Sequence, residues 1–259
     1  MSERIQMGRL PIDVVDFAGA LSAIEALVRA GKGGMVFTPN VDHVVLAERD
    51  DRLQAAYSRV SLSLVDGTPV LWAARLFGQP LPEKVSGSDL VIPLVERAAA
   101  QGWRLFLLGG APGVGALATA ELEARFPTLK IVGTAAPQIE LGADPSARRA
   151  IAREIATTRP DLVLVAFGAP KQEIFCDDTR DLLSPAVMVC VGAGIDFIAG
   201  TARRAPAWLS RYGLEWAYRL AQEPRRMAGR YLLRDPEFLV ILARQWWRRT
   251  ADRDSSAPR

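Results

Sequence analysis

Three polar side chains, Lys171, Gln172 and Glu173, follow directly on the apolar run "LVLVAF" and the turn Gly168-Ala169-Pro170. Proline suits the first turn of a helix, and a carboxylate near a helix N-terminus is favoured by the dipole. A lysine there is not, so a bound anion at this loop would resolve the conflict. Asp66 stands in "SLVDGTP". Asp-Gly is a common turn pair, but a carboxylate at the carboxyl end of a strand can also accept a proton from a hydroxyl nucleophile. Thr38 and Asn40 end an earlier strand. Asn40 suits an N-cap, whereas Thr38 is free to donate to a sugar or phosphate oxygen.

The loop "GGAPGVG", beginning at Gly109 and Gly110, is either a tight strand-to-helix turn or a cradle of N–H groups for a phosphate. It contains a weak GxGxxA match, but the acidic residue expected about twenty positions later is missing from "LKIVGTAAP". Dinucleotide binding is therefore unsupported. In "GAGIDFIAGTARRAP", Asp196, Arg203 and Arg204 are either solvated surface or a clamp for a diphosphate.

These residues need elements to position them. Residues 12–30 show helical periodicity, and "GMVFT" (34–38) reads as a strand. A helix is expected from about Val41, then a strand over 60–67. A helix opened by Ser86 or Ser88 stops at Gly102, and strands begin at Arg104 and Leu129. A helix starts at Pro145, followed by a strand over 161–168, a helix near 171–183 and a strand over 186–194. The strands are almost continuously apolar, as in a parallel sheet buried on both faces. The expected fold is an α/β, doubly wound, mostly parallel Rossmann-like sheet, whose ligands bind beyond the carboxyl ends of the strands. All the polar residues above fall at such ends.

Composition excludes several classes. The 259 residues are 49% apolar and 24% charged, which is a globular composition with a substantial core. No stretch is apolar enough to span a bilayer, and the N-terminus lacks the pattern of a signal peptide, so a cytoplasmic location is expected. Cys176 and Cys190 read as two buried small side chains. One histidine, His43, and no CxxC argue against a His/Cys zinc site.

Charge is uneven. Residues 203–259 hold thirteen Arg, no Lys and six acidic side chains, whereas residues 1–202 hold 19 basic and 23 acidic ones. A basic tail on a mildly acidic body suggests an anionic partner. The chain divides into a core over 1–202, a helical appendage over 203–250 broken at Pro206, Pro224 and Pro236, and a tail over 251–259 expected to be disordered. The tail's Trp and Arg residues fit a helix docked on the body, or one lying on anionic lipid. No nucleic-acid motif is present.

The segments "TPNVDHVV", "VDGTPV", "KVSGSDL", "FLLGGAPGV", "AFGAPKQE" and "RAPAWLSRYGLEWAYRLAQEPRRMAGRY" occur in this order. Together they resemble the WecG/TagA/CpsF family of bacterial glycosyltransferases over about residues 10–235. The resemblance implies inverting transfer of a sugar from a UDP-sugar to a polyprenyl-diphosphate-linked acceptor, on the inner face of the cytoplasmic membrane. It implies teichoic acid, exopolysaccharide or a related cell-surface polymer as the product. The sugars it admits are N-acetylmannosamine, its uronic acid and glucose. It implies no cofactor and no metal. Asp66 would be the base, with Thr38 and Asn40 beside it and Gln172 at the donor or catalytic pocket. Arg211, Arg219, Arg225, Arg226 and Arg230 would come from the C-terminal segment, which also assists membrane attachment. Relatives commonly carry Arg where this chain has Lys84, which supplies charge without a bidentate fork. Lys171, Glu173, Gly109, Gly110, Asp196 and Arg204 complete the expected substrate contacts. A homo-oligomer stays open. The competing readings are a nicotinamide-dependent oxidoreductase and a non-catalytic module for lipid or polyanion.

Overall fold

The computed structural model describes residues 3–142, 144–206, 209, 215–222 and 224–255. Six parallel strands form the central sheet: β3 (Gly34–Phe37), β4 (Leu62–Ser63), β5 (Arg104–Gly109), β6 (Lys130–Ala135), β7 (Leu162–Ala166) and β8 (Val187–Cys190). Their spatial order is β4-β3-β8-β7-β5-β6, and every neighbouring pair is parallel. The protein is thus α/β with a Rossmann-like, doubly wound sheet.

Alternation along each strand sends side chains to two separate cores. Met35, Phe37, Phe106, Leu108, Val163, Val165, Met188 and Cys190 enter one. Val36, Leu105, Leu107, Leu162, Leu164, Val187 and Val189 enter the other. The first core is covered by α2 (Val41–Ala47), α3 (Asp51–Ser58), α4 (Thr68–Leu76), α7 (Pro145–Thr157) and α8 (Lys171–Leu183). The second is covered by α1 (Phe17–Ala30), α5 (Gly87–Gln101), α6 (Val114–Arg125) and α9 (Gly194–Ile198). Burial on both faces explains why the strands read as apolar runs.

Cap chemistry sets the helix ends. Asp16, Asn40, Asp50, Ser86 and Asp144 each accept a main-chain N–H at the start of a helix. Gly31 and Gly102 end α1 and α5 in the left-handed conformation. Gly109 closes β5 at φ 109°, and a Cβ there would stand 2.5 Å from the carbonyl oxygen of Ala166. Gly109→Ala should destabilise the protein by about 2–4 kcal/mol through strain and overlap. A thermal melt should then show a Tm lower by roughly 5–10 °C.

Four expectations change. Residues 4–13 are not helical: β1 (Arg4–Met7) and β2 (Leu10–Asp13) form an antiparallel hairpin, so α1 begins at Phe17 rather than near residue 12. Ile5, Met7, Leu10 and Ile12 alternate inward into the first core. The strand expected over 60–67 pairs only at Leu62–Ser63. Helix α4 had no counterpart in the sequence reading. Finally, the tail expected to be disordered from residue 251 is helical as far as Ser255.

The C-terminal segment comprises α10 (Glu215–Gln222), α11 (Pro224–Ala228), a π-helical turn (Gly229–Arg234) and α12 (Glu237–Ser255). Helix α12 docks on the body: Phe238 and Ile241 are buried in the first core. Gln245 accepts the N–H of Gly8 at 2.9 Å and donates to the carbonyl of Gln6 at 2.7 Å. Arg249 stacks on Phe77, 4.9 Å from the ring centre. The same helix leaves Leu239, Val240, Trp246 and Trp247 exposed. Among the described residues, no helix is long and apolar enough to cross a membrane.

Candidate active site

The chain beyond β3 and β4 assembles the centre of the site. Past β3, Asn40 caps α2, its side-chain oxygen accepting the N–H of Asp42 at 3.1 Å. Past β4, the parallel pairing persists as single bonds: the N–H of Asp66 donates to the carbonyl of Pro39 at 2.8 Å. That bond sets Asp66 alongside Asn40. The N–H of Val85 donates to the carbonyl of Val65 at 2.8 Å, which ties the segment carrying Lys84 to the same loop.

The C-terminal segment closes over these loops. Arg230, on the π-helical turn, donates to Oδ1 of Asn40 at 3.1 Å and lies 3.3 Å from Asp42. Arg234 pairs with the other oxygen of Asp42 at 2.9 Å. Asp42 is buried, so these two cations offset a carboxylate withdrawn from water. The result is a cleft of about 380 Å³ whose walls include Asn40, Asp66, Trp216, Arg230, Tyr231 and Asp235. Trp216 and Tyr231 meet edge to face with ring centres 6.0 Å apart. A carboxylate, an amide and a guanidinium therefore share one aromatic-walled cleft at the strand ends.

Asp235 adds a titrating group. Burial, with Asp42 nearby, pushes its carboxyl up to about 6, while Arg230, Arg234 and His43 pull the other way. A raised carboxyl binds its proton more tightly in the folded chain. Its contribution to stability is present at low pH and is lost as pH rises through about 6. Asp235→Asn cannot ionise, so its melting temperature relative to the parent should climb between about pH 4 and pH 7. Paired melts across that range check the sign.

The other expected site residues are dispersed. Thr38 is buried, and its hydroxyl donates to the carbonyl of Cys190 at 3.4 Å. Gly87 packs so tightly there that an added Cβ would lie 2.5 Å from the same carbonyl oxygen. Thr38 thus knits β3 to β8 rather than lining the cleft. Gly110 and Asp196 are neighbours, since a Cβ on Gly110 would stand 4.0 Å from Oδ1 of Asp196. Arg204 pairs with Asp89 at 2.5 Å, donates to the carbonyl of Ser88 at 2.6 Å and stacks on Phe197. It borders a separate cleft of about 450 Å³ shared with Asp89 and Phe197. Lys171, Arg203 and Arg225 are exposed. Arg211 lies outside the described residues, as do the side chains of Arg219 and Arg226.

The polar triplet after β7 divides. Only Lys171 faces solvent; Gln172 and Glu173 turn inward and are buried. Oε1 of Glu173 accepts the amide N–H of Gln172 at 2.8 Å and stands 3.1 Å from Nε2 of His43. Nδ1 of His43 in turn stands 2.9 Å from Oδ1 of Asn40. Gln172 and Glu173, expected at the substrate, are joined through His43 to Asn40 in the cleft wall. His43 and Asp42 belong to this centre and were not singled out from the sequence; their signal is the helical spacing Asn40-x-Asp42-His43 beyond a strand end. Cys176 and Cys190 sit 3.8 Å apart as buried thiols, and burial pushes the thiol of Cys190 well above its usual range.

The sheet is of the doubly wound α/β class, and its polar cleft lies at the carboxyl edge of the strands, where ligands of such sheets commonly bind. The sequence model of the "Glycosyl transferase WecG/TagA/CpsF family" matches residues 5–252, and the chain belongs to that family. An N-acetylglucosaminyldiphosphoundecaprenol N-acetyl-beta-D-mannosaminyltransferase of Bacillus spizizenii (strain ATCC 23059 / NRRL B-14472 / W23) is 31% identical over 238 residues, 90% of each chain. A protein of the same name from Bacillus subtilis (strain 168) is 29% identical over 213 residues, 82% of this chain and 80% of its own. The match spans the C-terminal segment as well as the sheet, so the cleft lies wholly inside the family's territory.

Proposed function

We propose that this glycosyltransferase moves a sugar from a UDP-sugar to a polyprenyl-diphosphate-linked sugar, with inversion at the anomeric carbon, in the synthesis of a bacterial cell-surface polysaccharide. The acceptor follows the two Bacillus relatives, whose names specify N-acetylglucosaminyl-diphospho-undecaprenol and an N-acetylmannosaminyl group. Their names favour N-acetylmannosamine over its uronic acid or glucose as the sugar moved here, with a teichoic acid linkage unit or a related polymer as the product.

One observation carries the reading: Asp66 shares a cleft with Arg230 and Asn40. Asp66 takes the proton from the acceptor hydroxyl as its oxygen attacks the anomeric carbon. The bond from that carbon to the UDP oxygen breaks on the opposite face, and UDP leaves as an anion. Arg230, in the wall of the cleft, is the fixed donor that receives the developing charge. No metal is required in this scheme. The exposed apolar and basic flank of α12 rests on anionic membrane, where the lipid-linked acceptor resides.

A panel of UDP-sugars, assayed with a short polyprenyl-diphosphate-N-acetylglucosamine acceptor and with or without a chelator, tests the proposal. Transfer from UDP-N-acetylmannosamine that persists in chelator is expected. Transfer from none of the UDP-sugars would reject the donor class, and loss in chelator with recovery in magnesium would reject the metal-free scheme.

A further inference from the structure

We propose that α4, a helix of the body, shares the membrane-seated face with α12, so that Trp72 and Leu76 enter the lipid surface beside Leu239 and Trp246. The inference rests on the reading of the α12 flank given above and extends it from the C-terminal segment to the body.

Both helices start at the cleft. Thr68 and Pro69, in the first turn of α4, line it together with Phe238 and Leu239, in the first turn of α12. They meet again at their far ends. Arg249 of α12 donates to the carbonyl of Phe77, just past the end of α4, at 3.3 Å and stacks on its ring. Two such points set the helices running outward from the cleft in the same direction. At 1.5 Å per residue they do so over about 12 Å of α4 and about 17 Å of α12.

The exposed side chains lie on the helix faces that begin at the cleft. Residues three or four positions apart share a face, and the row continues with each further turn. On α4, Thr68 leads to Trp72 and Leu76, whereas Val70, Ala73, Ala74 and Phe77 are buried. On α12, Leu239 leads to Ala243 and Trp246, whereas Phe238 and Ile241 are buried. Trp72 is 57% exposed, Leu76 68%, Leu239 69% and Trp246 52%. Large apolar side chains this exposed, in file with the mouth of one cleft on both helices, mark a surface that something covers.

Charge and side-chain type select a lipid surface as the occupant. Residues 68–76 hold one Arg and no acidic side chain, and residues 238–249 hold three Arg and no acidic side chain. Arg75 and Arg248 are exposed beside the apolar rows. Tryptophan and arginine around an aliphatic strip suit the boundary of an anionic bilayer, where the rings sit at headgroup level and the guanidinium groups meet phosphate. With both rows in lipid, the mouth of the cleft opens at the membrane surface.

Leu76→Cys, Val240→Cys and Ser22→Cys each give the full-length chain one accessible thiol, because Cys176 and Cys190 are buried. Ser22 is exposed on α1, which covers the opposite face of the sheet. Each variant carries an environment-sensitive fluorophore on that thiol and is mixed with vesicles of phosphatidylglycerol and phosphatidylcholine. Blue-shifted emission at positions 76 and 240, with none at 22, is expected. A shift at 240 without one at 76 would overturn the inference and leave the α12 flank on the membrane. No shift at either position would overturn both readings. Shifts at 76 and 240 that precede vesicle addition and vanish on dilution would assign the face to a second copy of the chain, which also overturns the inference. In the unlabelled protein, the double variant Trp72→Ser/Leu76→Ser should partition into the same vesicles about tenfold more weakly, because two apolar side chains no longer enter the interface. A loss of less than about threefold would overturn the role of α4. Neither measurement needs sugar transfer, so failure here is distinct from failure of the glycosyl-transfer reading.

Discussion

Replacing Asp66 with asparagine is expected to lower kcat by about 10³-fold while leaving the melting temperature and donor KM close to those of the parent. The amide matches the carboxylate in size, and the loop is held by main-chain bonds that the substitution does not touch. The N–H of residue 66 still donates to Pro39, and Val85 still donates to Val65. What the amide cannot do is accept the proton of the attacking hydroxyl. Steady-state rates with saturating donor and acceptor, beside a thermal melt, decide the matter. A variant that retains more than about a tenth of kcat would move the base elsewhere.

The second large effect is expected at Arg230. Its guanidinium joins the C-terminal segment to the wall of the cleft through Asn40, Asp42 and Asp235. Arg230→Ala removes a fixed cation from the cleft that Asp66 lines, and it leaves the Arg234 ion pair to buried Asp42. Loss of one electrostatic donor of this kind costs about 10²–10³-fold in kcat. Arg230→Lys should fall between the parent and alanine, because an ammonium keeps the charge but cannot span Asn40 and Asp42 together. Equal activity in the lysine and alanine variants would show that charge at this position does not matter.

The sheet was legible because its strands are buried on both faces, which writes them as apolar runs ending in glycine or a polar residue. The hairpin was missed although its signal is present: Ile5, Met7, Leu10 and Ile12 alternate on either side of Gly8-Arg9. The apolar positions from Val14 onward overlap a helical period, and that longer pattern absorbed the shorter one. Asn40 and Asp66 could be chosen from position alone, since both follow strands. The roles of Gln172 and Glu173 could not. Whether a residue in the first turn of α8 faces ligand or core depends on the phase at which that helix meets α2, and His43 lies 130 positions away from Glu173. Arg230 was one basic residue among thirteen in the tail. Its contact with Asn40 spans 190 positions and depends on a π-helical turn that shifts the side chains off the ordinary helical period.

The most direct test of the account is a crystal structure with UDP and a polyprenyl-diphosphate-sugar analogue bound together. The acceptor hydroxyl should lie within hydrogen-bond reach of Asp66, with the diphosphate of UDP against Arg230. Nucleotide lodged instead beside Arg204 and Phe197, with Asp66 facing neither ligand, would contradict it.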